Sequence, residues 1–248
     1  FLGLTGMGGG VASLMWHASG VTYEKGYLFG SGANPKKWYS PSLPGATKRS
    51  SPVAIGNDGD WIYFYAGGNG NHKMALNADK EMRIWGGNIA GCWGNNTENN
   101  NDAFITSGVT HPGPWVSATT GYAATLGVKD DGTAWAWGNN DYGKLGLNNL
   151  TKYSSPVQIG TDTNWQCIKS GGGNENANCL AIKTDGTLWA WGRNIDGVLG
   201  QNQQQNYGPS PFPQCSSPVQ IGTSTDWGTS DTSVDIFNER AIANVSGT

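Results

Sequence analysis

The 248-residue sequence predicts an all-β protein made of about four repeats of a four-stranded antiparallel unit. Three observations predict this class. Glycine is abundant, with 39 residues, and charged residues are only 13%, about half the share usual in globular proteins. Short runs that alternate apolar and polar residues end at glycine or Asp-Gly, and similar stretches recur along the chain. This combination favours many short strands joined by tight turns.

The repeat is visible in two stretches. The first, Ser-Ser-Pro-Val, occurs at 50–53, 154–157 and 216–219, and each copy is followed by Ile-Gly. Nine residues after each proline stands a tryptophan, and a degenerate copy adds a fourth: Trp61, Trp165, Trp227 and Trp115. The second stretch, an aromatic residue followed by glycine, begins at 29, 85, 137 and 191. The period is therefore roughly 54 residues, the length of a propeller or solenoid unit.

Each unit contains four predicted strands. "CLAIKTDG" and "TLWAWG" are joined by Asp185-Gly186, which predicts a hairpin with a type I′ turn, since that turn needs positive φ at both central residues. "SSPVQIG" is a third strand, whose proline suits an edge or a strand start. "NWQCIKSG" is the fourth strand. Four antiparallel strands repeated in this way predict the blades of a β-propeller, either partial or unusually small.

The predicted division of the chain begins with a glycine-rich apolar arm at 1–20. Four propeller repeats and a partial fifth follow, at 21–67, 68–121, 122–171, 172–233 and 234–248. The arm has neither the basic flank of a secretory signal nor the roughly 20 apolar residues of a spanning helix. We therefore expect no membrane span and an arm that docks on a partner surface.

The residues "DGTLWAWGRNIDGVLG…SSPVQIG…W" resemble the regulator of chromosome condensation (RCC1) repeat. The resemblance extends from about residue 26 to 228 and is strongest in the third and fourth units. It implies a propeller whose usual form is a closed ring of roughly seven blades. Four units leave three possibilities: part of a longer propeller, a four-bladed ring in which 241–245 pairs with 26–30, or an open arc completed by a neighbour.

The Gly-, Asn-, Thr- and Ser-rich style of these repeats resembles family members of bacteria and bacteriophages. That resemblance implies a non-enzymatic interaction module, a bacteriophage virion component such as a capsid decoration or tail-associated protein. The expected partners are other virion proteins (capsid or tail) or a host-surface ligand, in a multi-copy assembly. One alternative is a secreted or surface propeller that binds a protein or glycan. A nucleotide-exchange and chromatin-binding propeller ranks below both.

Composition argues against several other classes. The net charge is −3, and the only basic clusters are the short pairs Lys36-Lys37 and Lys48-Arg49, which we interpret as solvated loop charge and not as the electrostatic footprint of a nucleic-acid binder. Three scattered histidines and four cysteines without a C-x-x-C pair predict no metal site, and nothing in the sequence points to a cofactor. Asp131 and Asp185 are explained by turn chemistry, so we expect no catalytic residues. Cys167 and Cys179 fall on neighbouring predicted strands, either bridged or as buried free thiols.

Candidate contact residues are those that do not repeat. Tryptophans that recur at fixed blade positions are predicted to be core: Trp61, Trp137, Trp165, Trp191 and Trp227. The hairpin residue Trp189 is likewise predicted to be scaffold. The functional candidates lie in the arm, in the loops 95–114 and 201–215 that break the period, and at other non-repeating positions. They are Trp16, Trp38, Trp93, Phe104, His111, Tyr207 and Phe212.

Overall fold

In a computed structural model, the described part of the chain is all β apart from short 3-10 turns. It comprises residues 28–33, 48–55, 60–65, 72–98, 108–171, 178–194, 197–202, 214–228, 234–237 and 240–243. Its strands are β1 Leu28–Ala33, β2 Lys48–Ile55, β3 Trp61–Tyr65, β4 His72–Asn77, β5 Met82–Gly86, β6 Val109–His111, β7 Trp115–Gly121, β8 Ala124–Lys129, β9 Ala134–Gly138, β10 Tyr153–Gln158, β11 Trp165–Ser170, β12 Asn178–Lys183, β13 Leu188–Arg193, β14 Gln214–Gln220, β15 Val234–Phe237 and β16 Arg240–Ala243.

Three four-stranded antiparallel sheets form complete blades. Blade I contains β3 to β6, blade II β7 to β10 and blade III β11 to β14, each with its strands in chain order. The first strands of neighbouring blades contact each other, β3 with β7 and β7 with β11, as expected around a propeller axis. The predicted β-propeller architecture is confirmed. Each sheet begins at the tryptophan that follows the Pro-Val stretch, so its first strand lies within the preceding predicted repeat.

The Asp-Gly hairpins do not use the predicted type I′ turn. In blade II the Gly132 N–H donates to the Lys129 carbonyl at 3.0 Å, and the Lys129 N–H donates to the Thr133 carbonyl at 2.9 Å. Positive φ occurs at Gly132, with +77°, and not at Asp131. This is a type I turn followed by a glycine bulge, a common three-residue hairpin loop. The aspartate serves through its carboxylate, which accepts from the Thr133 N–H at 2.9 Å.

The first unit is shifted by two residues relative to the sequence comparison. Gly30 of β1 pairs with Val53 of β2, as Ala190 of β13 pairs with Val219 of β14. The Trp-Gly pair of the later units therefore aligns with residues 31–32 of the first unit, and not with Phe29-Gly30 as the sequence pattern had suggested. Side chains alternate with a period of two along a strand, so a two-residue shift leaves the apolar pattern intact and hides the error.

The remaining strands form two half-blades. β1 pairs with β2, and β15 pairs with β16, as separate two-stranded sheets. Among the described strands no pairing joins β16 to β1. Within the described part of 26–30 and 241–245, the pairing expected for a closed four-bladed ring is thus not present.

Four of the five recurring tryptophans predicted to be core are buried. Trp137 and Trp191 are fully buried, and Trp61 and Trp165 are exposed by only 6% and 3%. Trp227 is half-buried. Trp137, Trp165 and Trp191 lie in core clusters that contain residues of two neighbouring blades, where a large flat side chain can contact both sheets.

The cysteines of the described residues are free thiols. Cys167 pairs with Ile182 across β11 and β12, whereas Cys179 pairs with Ser170. The two thiols are therefore on neighbouring strands but not opposite each other. Of the two alternatives, buried free thiols are confirmed, and burial raises the pKa of Cys179 to about 12.

Candidate functional site

Repeated hydrogen bonds fasten each blade to the next and so determine which surfaces stay open. The Trp137 indole N–H donates to the Cys92 carbonyl at 2.9 Å. The Trp191 indole makes the same bond to the Lys144 carbonyl, also at 2.9 Å. Near the hairpin turns, the Trp165 backbone N–H donates to the Gly132 carbonyl at 3.0 Å. Turns and first strands are thereby tied together, and free surface is left between the outer strands.

Between blades II and III a groove of about 450 Å³ opens. We call it the inter-blade groove. One wall comes from residues 146–149 and from β10 of blade II, and the other from β13 and β14 of blade III. The lining combines aromatic, aliphatic and polar side chains, among them Leu147, Asn149, Tyr153, Asp162, Trp189 and Pro218.

Trp189 is held firmly in this groove. Its indole N–H donates to Thr187 Oγ1 at 2.8 Å, and that hydroxyl donates to Asp185 Oδ1 at 2.6 Å. Lys183 Nζ lies 4.0 Å from the centroid of the Trp189 ring and 2.7 Å from Asp162 Oδ2. A cation over an aromatic face is attractive, so the ring is fixed by a hydrogen bond at its edge and a charge on one face.

The opposite wall is organised by Asn149. Its amide donates to Tyr153 Oη at 3.1 Å and to the Leu147 carbonyl at 3.1 Å, and its oxygen accepts from the Thr151 N–H at 2.9 Å. Next to it, Leu150 is 53% exposed, the one large exposed hydrophobic side chain among the residues with described burial. The wall is therefore pre-ordered, with an apolar side chain projecting beside it.

The expectation that Trp93 is exposed is wrong. Trp93 is only 8% exposed and packs in the core of blade I. The Trp93 backbone N–H donates to Asn88 Oδ1 at 2.9 Å, as the Leu145 backbone N–H donates to Asn140 Oδ1 at 3.0 Å. Trp93 thus occupies the position of a buried leucine in the next blade. Matching "GCWG" with "GKLG" in the sequence would have revealed this.

His111 is also a core residue rather than an open contact residue. It is 9% exposed, lies 5.0 Å from the Trp137 ring and bonds the Trp93 carbonyl through Nε2 at 2.6 Å. Val109 pairs with Ile84 as the valine of the Pro-Val stretch does in the other blades, so His111 replaces the isoleucine of "PVQI". Burial lowers its pKa, which favours the neutral imidazole.

The other five candidate contact residues, Trp16, Trp38, Phe104, Tyr207 and Phe212, lie outside the described residues. The central parts of both irregular loops also lie outside them. Trp189 was predicted from the sequence to be a scaffold residue, but it lines the inter-blade groove. It shares a strand face with Trp191, but Trp191 is fully buried whereas Trp189 is half-buried and lines the groove.

Within the described residues, no group of three or more His, Cys, Asp or Glu side chains is placed to hold a metal ion. Nor does that part of the chain contain a helix with the length and apolarity needed to cross a membrane.

Family comparisons agree with this architecture. A model of the regulator of chromosome condensation (RCC1) repeat matches residues 131–175 and 185–227, and a second model of the repeat matches 115–144. The matched segments begin at the hairpin turns or at a first strand. This chain therefore contains RCC1-like repeats, over residues 115–175 and 185–227.

Curated relatives match between 32% and 62% of this RCC1-repeat chain. The human regulator of chromosome condensation is 26% identical over 157 residues, which cover 62% of this chain and 36% of that protein. The human E3 ubiquitin-protein ligase HERC2 is 26% identical over 137 residues, covering 54% of this chain and 3% of the ligase. The ultraviolet-B receptor UVR8 of Arabidopsis thaliana is 30% identical over 80 residues, 32% of this chain and 18% of the receptor. The chain therefore spans a minor part of each.

Solved structures support the fold. Human WBSCR16 superposes with a TM-score of 0.61 and 21% identity, over 81% of this chain and 49% of its own. Prp20p of Saccharomyces cerevisiae superposes with a TM-score of 0.55 and 20% identity, over 71% of this chain and 42% of its own. The same yeast protein, RCC1 (Prp20), bound to Kap60 superposes with a TM-score of 0.57 and 14% identity, over 80% of this chain and 46% of its own. The RCC1-repeat chain thus has the fold of about half of each solved chain.

Proposed function

We propose that this RCC1-repeat propeller is a protein-interaction module and that the inter-blade groove is one of its contact sites. The observation that carries the proposal is the half-buried Trp189, fixed at the groove between two blades. A rigid aromatic ring in a pre-formed cleft costs little conformational entropy on binding. Tryptophan and tyrosine are enriched among the residues that contribute most to protein contacts.

The rest of the groove suits a peptide segment or loop of a partner. Leu147 and Pro218 supply apolar contacts, whereas Asn149 and Asp162 supply polar groups at the margin. Apolar contact surrounded by polar groups is the general anatomy of a protein interface. Leu150, beside the groove, extends the apolar surface that a partner would cover.

A matched pair of substitutions tests the groove. The tagged full chain is used to capture partners from an extract of its source organism, and affinity for the purified partner is then measured. Trp189→Ala should weaken binding at least tenfold, as expected for a buried aromatic contact. Trp135→Ala is the control, because Trp135 makes the same bond to Thr133, at 2.8 Å, in blade II but does not line the groove. Equal losses in both variants would count against the groove.

A second pair removes the question of stability. Leu150 is exposed, so Leu150→Asp should leave folding nearly unchanged, since exposed substitutions usually change stability little. Binding should fall several-fold in this variant. Lys152→Asp, two residues away and also exposed, changes the local charge without removing an apolar side chain and should bind more tightly than Leu150→Asp. The reverse order would contradict a contact at Leu150.

The relatives favour a second candidate function. Two solved structures of one protein, yeast Prp20, are similar to this chain in fold; one is reported with the binding of Prp20 to Gsp1p and histones, and the other is its complex with Kap60. A nucleotide-exchange or chromatin role, ranked low from the sequence, therefore gains support by similarity. The test is whether the purified chain accelerates release of labelled nucleotide from a small GTPase. Unchanged release over a range of chain concentrations would exclude exchange on that GTPase.

The virion role stays a prediction, with the repeat style of the sequence as its support. The relatives reported above are eukaryotic and do not support a bacterial or bacteriophage type. Mass spectrometry of purified particles should find the chain at fixed stoichiometry, and its absence would exclude the role.

The secreted alternative predicts the chain in culture medium. Absence of catalysis also stays a prediction, because HERC2 is named as a ligase, although the match covers only 3% of it.

A further inference from the structure

Burial sorts the charged side chains of the described residues by sign. Among the residues with described burial, five cationic side chains are buried and no Asp or Glu is. The buried cations are Lys73, Lys144, Lys169, Lys183 and Arg193. On the exposed surface of the same residues the balance is reversed, with eight acidic side chains and a single basic one, Lys152. A partner therefore meets a more acidic surface than the net charge of −3 indicates.

Most of this exposed negative charge lies at one end of the blades. We define the turn face as the hairpin turns 78–81, 130–133 and 184–187 together with the loops 160–164 and 222–226. Six of the eight exposed acidic residues are on it: Asp79, Asp130, Asp131, Asp162, Asp185 and Asp226. Its one basic residue, Lys80, is half-buried. The turn face is therefore suited to contact positively charged groups.

Backbone hydrogen bonds join the segments of the turn face from blade II to blade III. The backbone N–H donates to a carbonyl of the neighbouring segment in three places: Trp165 to Gly132 at 3.0 Å, Thr184 to Asn164 at 2.8 Å and Trp227 to Gly186 at 3.2 Å. The carboxylates are thus carried on a continuous, ordered backbone. A surface that is ordered before binding loses little conformational entropy in a complex.

Asp162 connects the turn face with the inter-blade groove. It belongs to the loop 160–164 and lines the groove together with Trp189. Lys183, which pairs with Asp162 at 2.7 Å, has a side chain only 8% exposed, whereas the side chain of Asp162 is 52% exposed. The carboxylate is therefore open to a partner, while its cation is covered and lies against the Trp189 ring. The aromatic and apolar surface of the groove thus adjoins a row of carboxylates.

We propose that the inter-blade groove binds a partner segment in which apolar residues adjoin one or more Lys or Arg residues. This inference rests on the proposed function of the groove and adds the chemistry of its partner. The apolar residues pack on Trp189, Leu147 and Pro218, and the basic side chains lie on Asp162 and the turn face. An ammonium or guanidinium group makes a charge-assisted hydrogen bond to a carboxylate, whereas the same carboxylates repel an acidic segment.

Selection from a phage-displayed library of short random peptides tests the chemistry of the partner. The full chain is the target, and Trp189→Ala is used to remove peptides that bind elsewhere. The remaining peptides should be enriched in Lys and Arg next to apolar residues. Groove-dependent peptides without basic residues, or a neutral sugar that binds the chain but not Trp189→Ala, would overturn this inference. If every selected peptide binds Trp189→Ala equally well, the proposed function of the groove fails as well.

The affinity of one selected peptide, measured by fluorescence anisotropy, tests the charged contact. Asp162→Asn removes the carboxylate of the groove and should weaken binding about two- to fivefold, as expected for an exposed ion pair. Glu98→Gln is the matched control, because Glu98 is also exposed and its substitution changes the net charge by the same amount. Glu98 lies between β5 and β6, outside the turn face, so the control should bind the peptide like the parent chain.

Ionic strength gives a second readout, which a loss of folding would not produce. In about 1 M NaCl charges are screened over roughly 3 Å, so the parent chain and Asp162→Asn should bind the peptide with nearly equal affinity. Equal weakening by Asp162→Asn and Glu98→Gln would show a response to net charge alone and would contradict a contact on the turn face. A difference between parent and Asp162→Asn that persists at high salt would overturn recognition by charge.

Discussion

The indole bonds between blades give a quantitative prediction for Trp137→Phe and Trp191→Phe. Both side chains are fully buried, so each substitution loses a similar amount of packing, about 1–2 kcal/mol. Each also loses an indole hydrogen bond worth about 1 kcal/mol. The two sites differ in what remains at the acceptor carbonyl. The Cys92 carbonyl keeps a bond from the Thr125 hydroxyl at 2.9 Å.

The Lys144 carbonyl keeps only a weaker donor. The Cys179 thiol contacts it at 3.2 Å, and a thiol is a weak hydrogen-bond donor. A buried carbonyl that lacks a good donor costs about 1–3 kcal/mol. Trp191→Phe should therefore destabilise the chain by about 1 kcal/mol more than Trp137→Phe.

Urea denaturation followed by circular dichroism measures this difference. Cys179→Thr supplies the rescue, because it gives the Lys144 carbonyl the hydroxyl donor that Thr125 gives Cys92. In a double-mutant cycle, Cys179→Thr should stabilise Trp191→Phe by about 1 kcal/mol more than it stabilises the parent chain. Equal effects of the two tryptophan substitutions, or no coupling in the cycle, would refute the reasoning.

Four further predictions concern single residues. Lys80 has φ of +60°, whereas the corresponding hairpin positions of blades II and III are Gly132 and Gly186. Lys80→Gly should therefore raise the free energy of unfolding, measured by urea denaturation, by about 0.5–1 kcal/mol. Gly132→Ala should cost about 2 kcal/mol or more, because φ is +77° and the new Cβ would lie 2.5 Å from the Thr163 carbonyl carbon. Burial lowers the pKa of Lys144 from 10.5 to about 8. Between these two pH values the unfolded state binds more protons than the folded state, so the melting temperature should rise with pH. The rise should be smaller in Lys144→Met, which has no titrating group at this position. Burial lowers the pKa of His72 from 6.5 to about 3, so between these pH values the unfolded state binds more protons than the folded state. The melting temperature should therefore fall as the pH is lowered from 6.5 to about 3, and this fall should be smaller in His72→Gln.

The sequence predicted the blades because their causes are local. The four-strand unit follows from alternation and turn residues, and the recurring tryptophans are core because each returns to one blade position. The errors have physical reasons as well. Trp93 and His111 sit at positions that carry leucine or isoleucine in other blades, and a polar or very large residue at a core position conceals the repeat.

The groove could not be read from the sequence. Trp189 and Trp191 share one strand face and differ only in what lies across from them. Trp191 meets the turn of the preceding blade, where the Lys144 carbonyl accepts its indole N–H. Trp189 instead meets the space beside residues 146–149. Which of two equivalent side chains is covered depends on the packing of neighbouring sheets.

By itself the sequence determined the all-β class, the repeat and the positions of its turns, since strand alternation and backbone preference act over a few residues. The tertiary structure decided which tryptophan stays accessible and how the first unit is registered. It also decided that β1 with β2 and β15 with β16 form separate two-stranded sheets rather than one blade. Those outcomes depend on contacts between residues far apart in the chain, which no local pattern records.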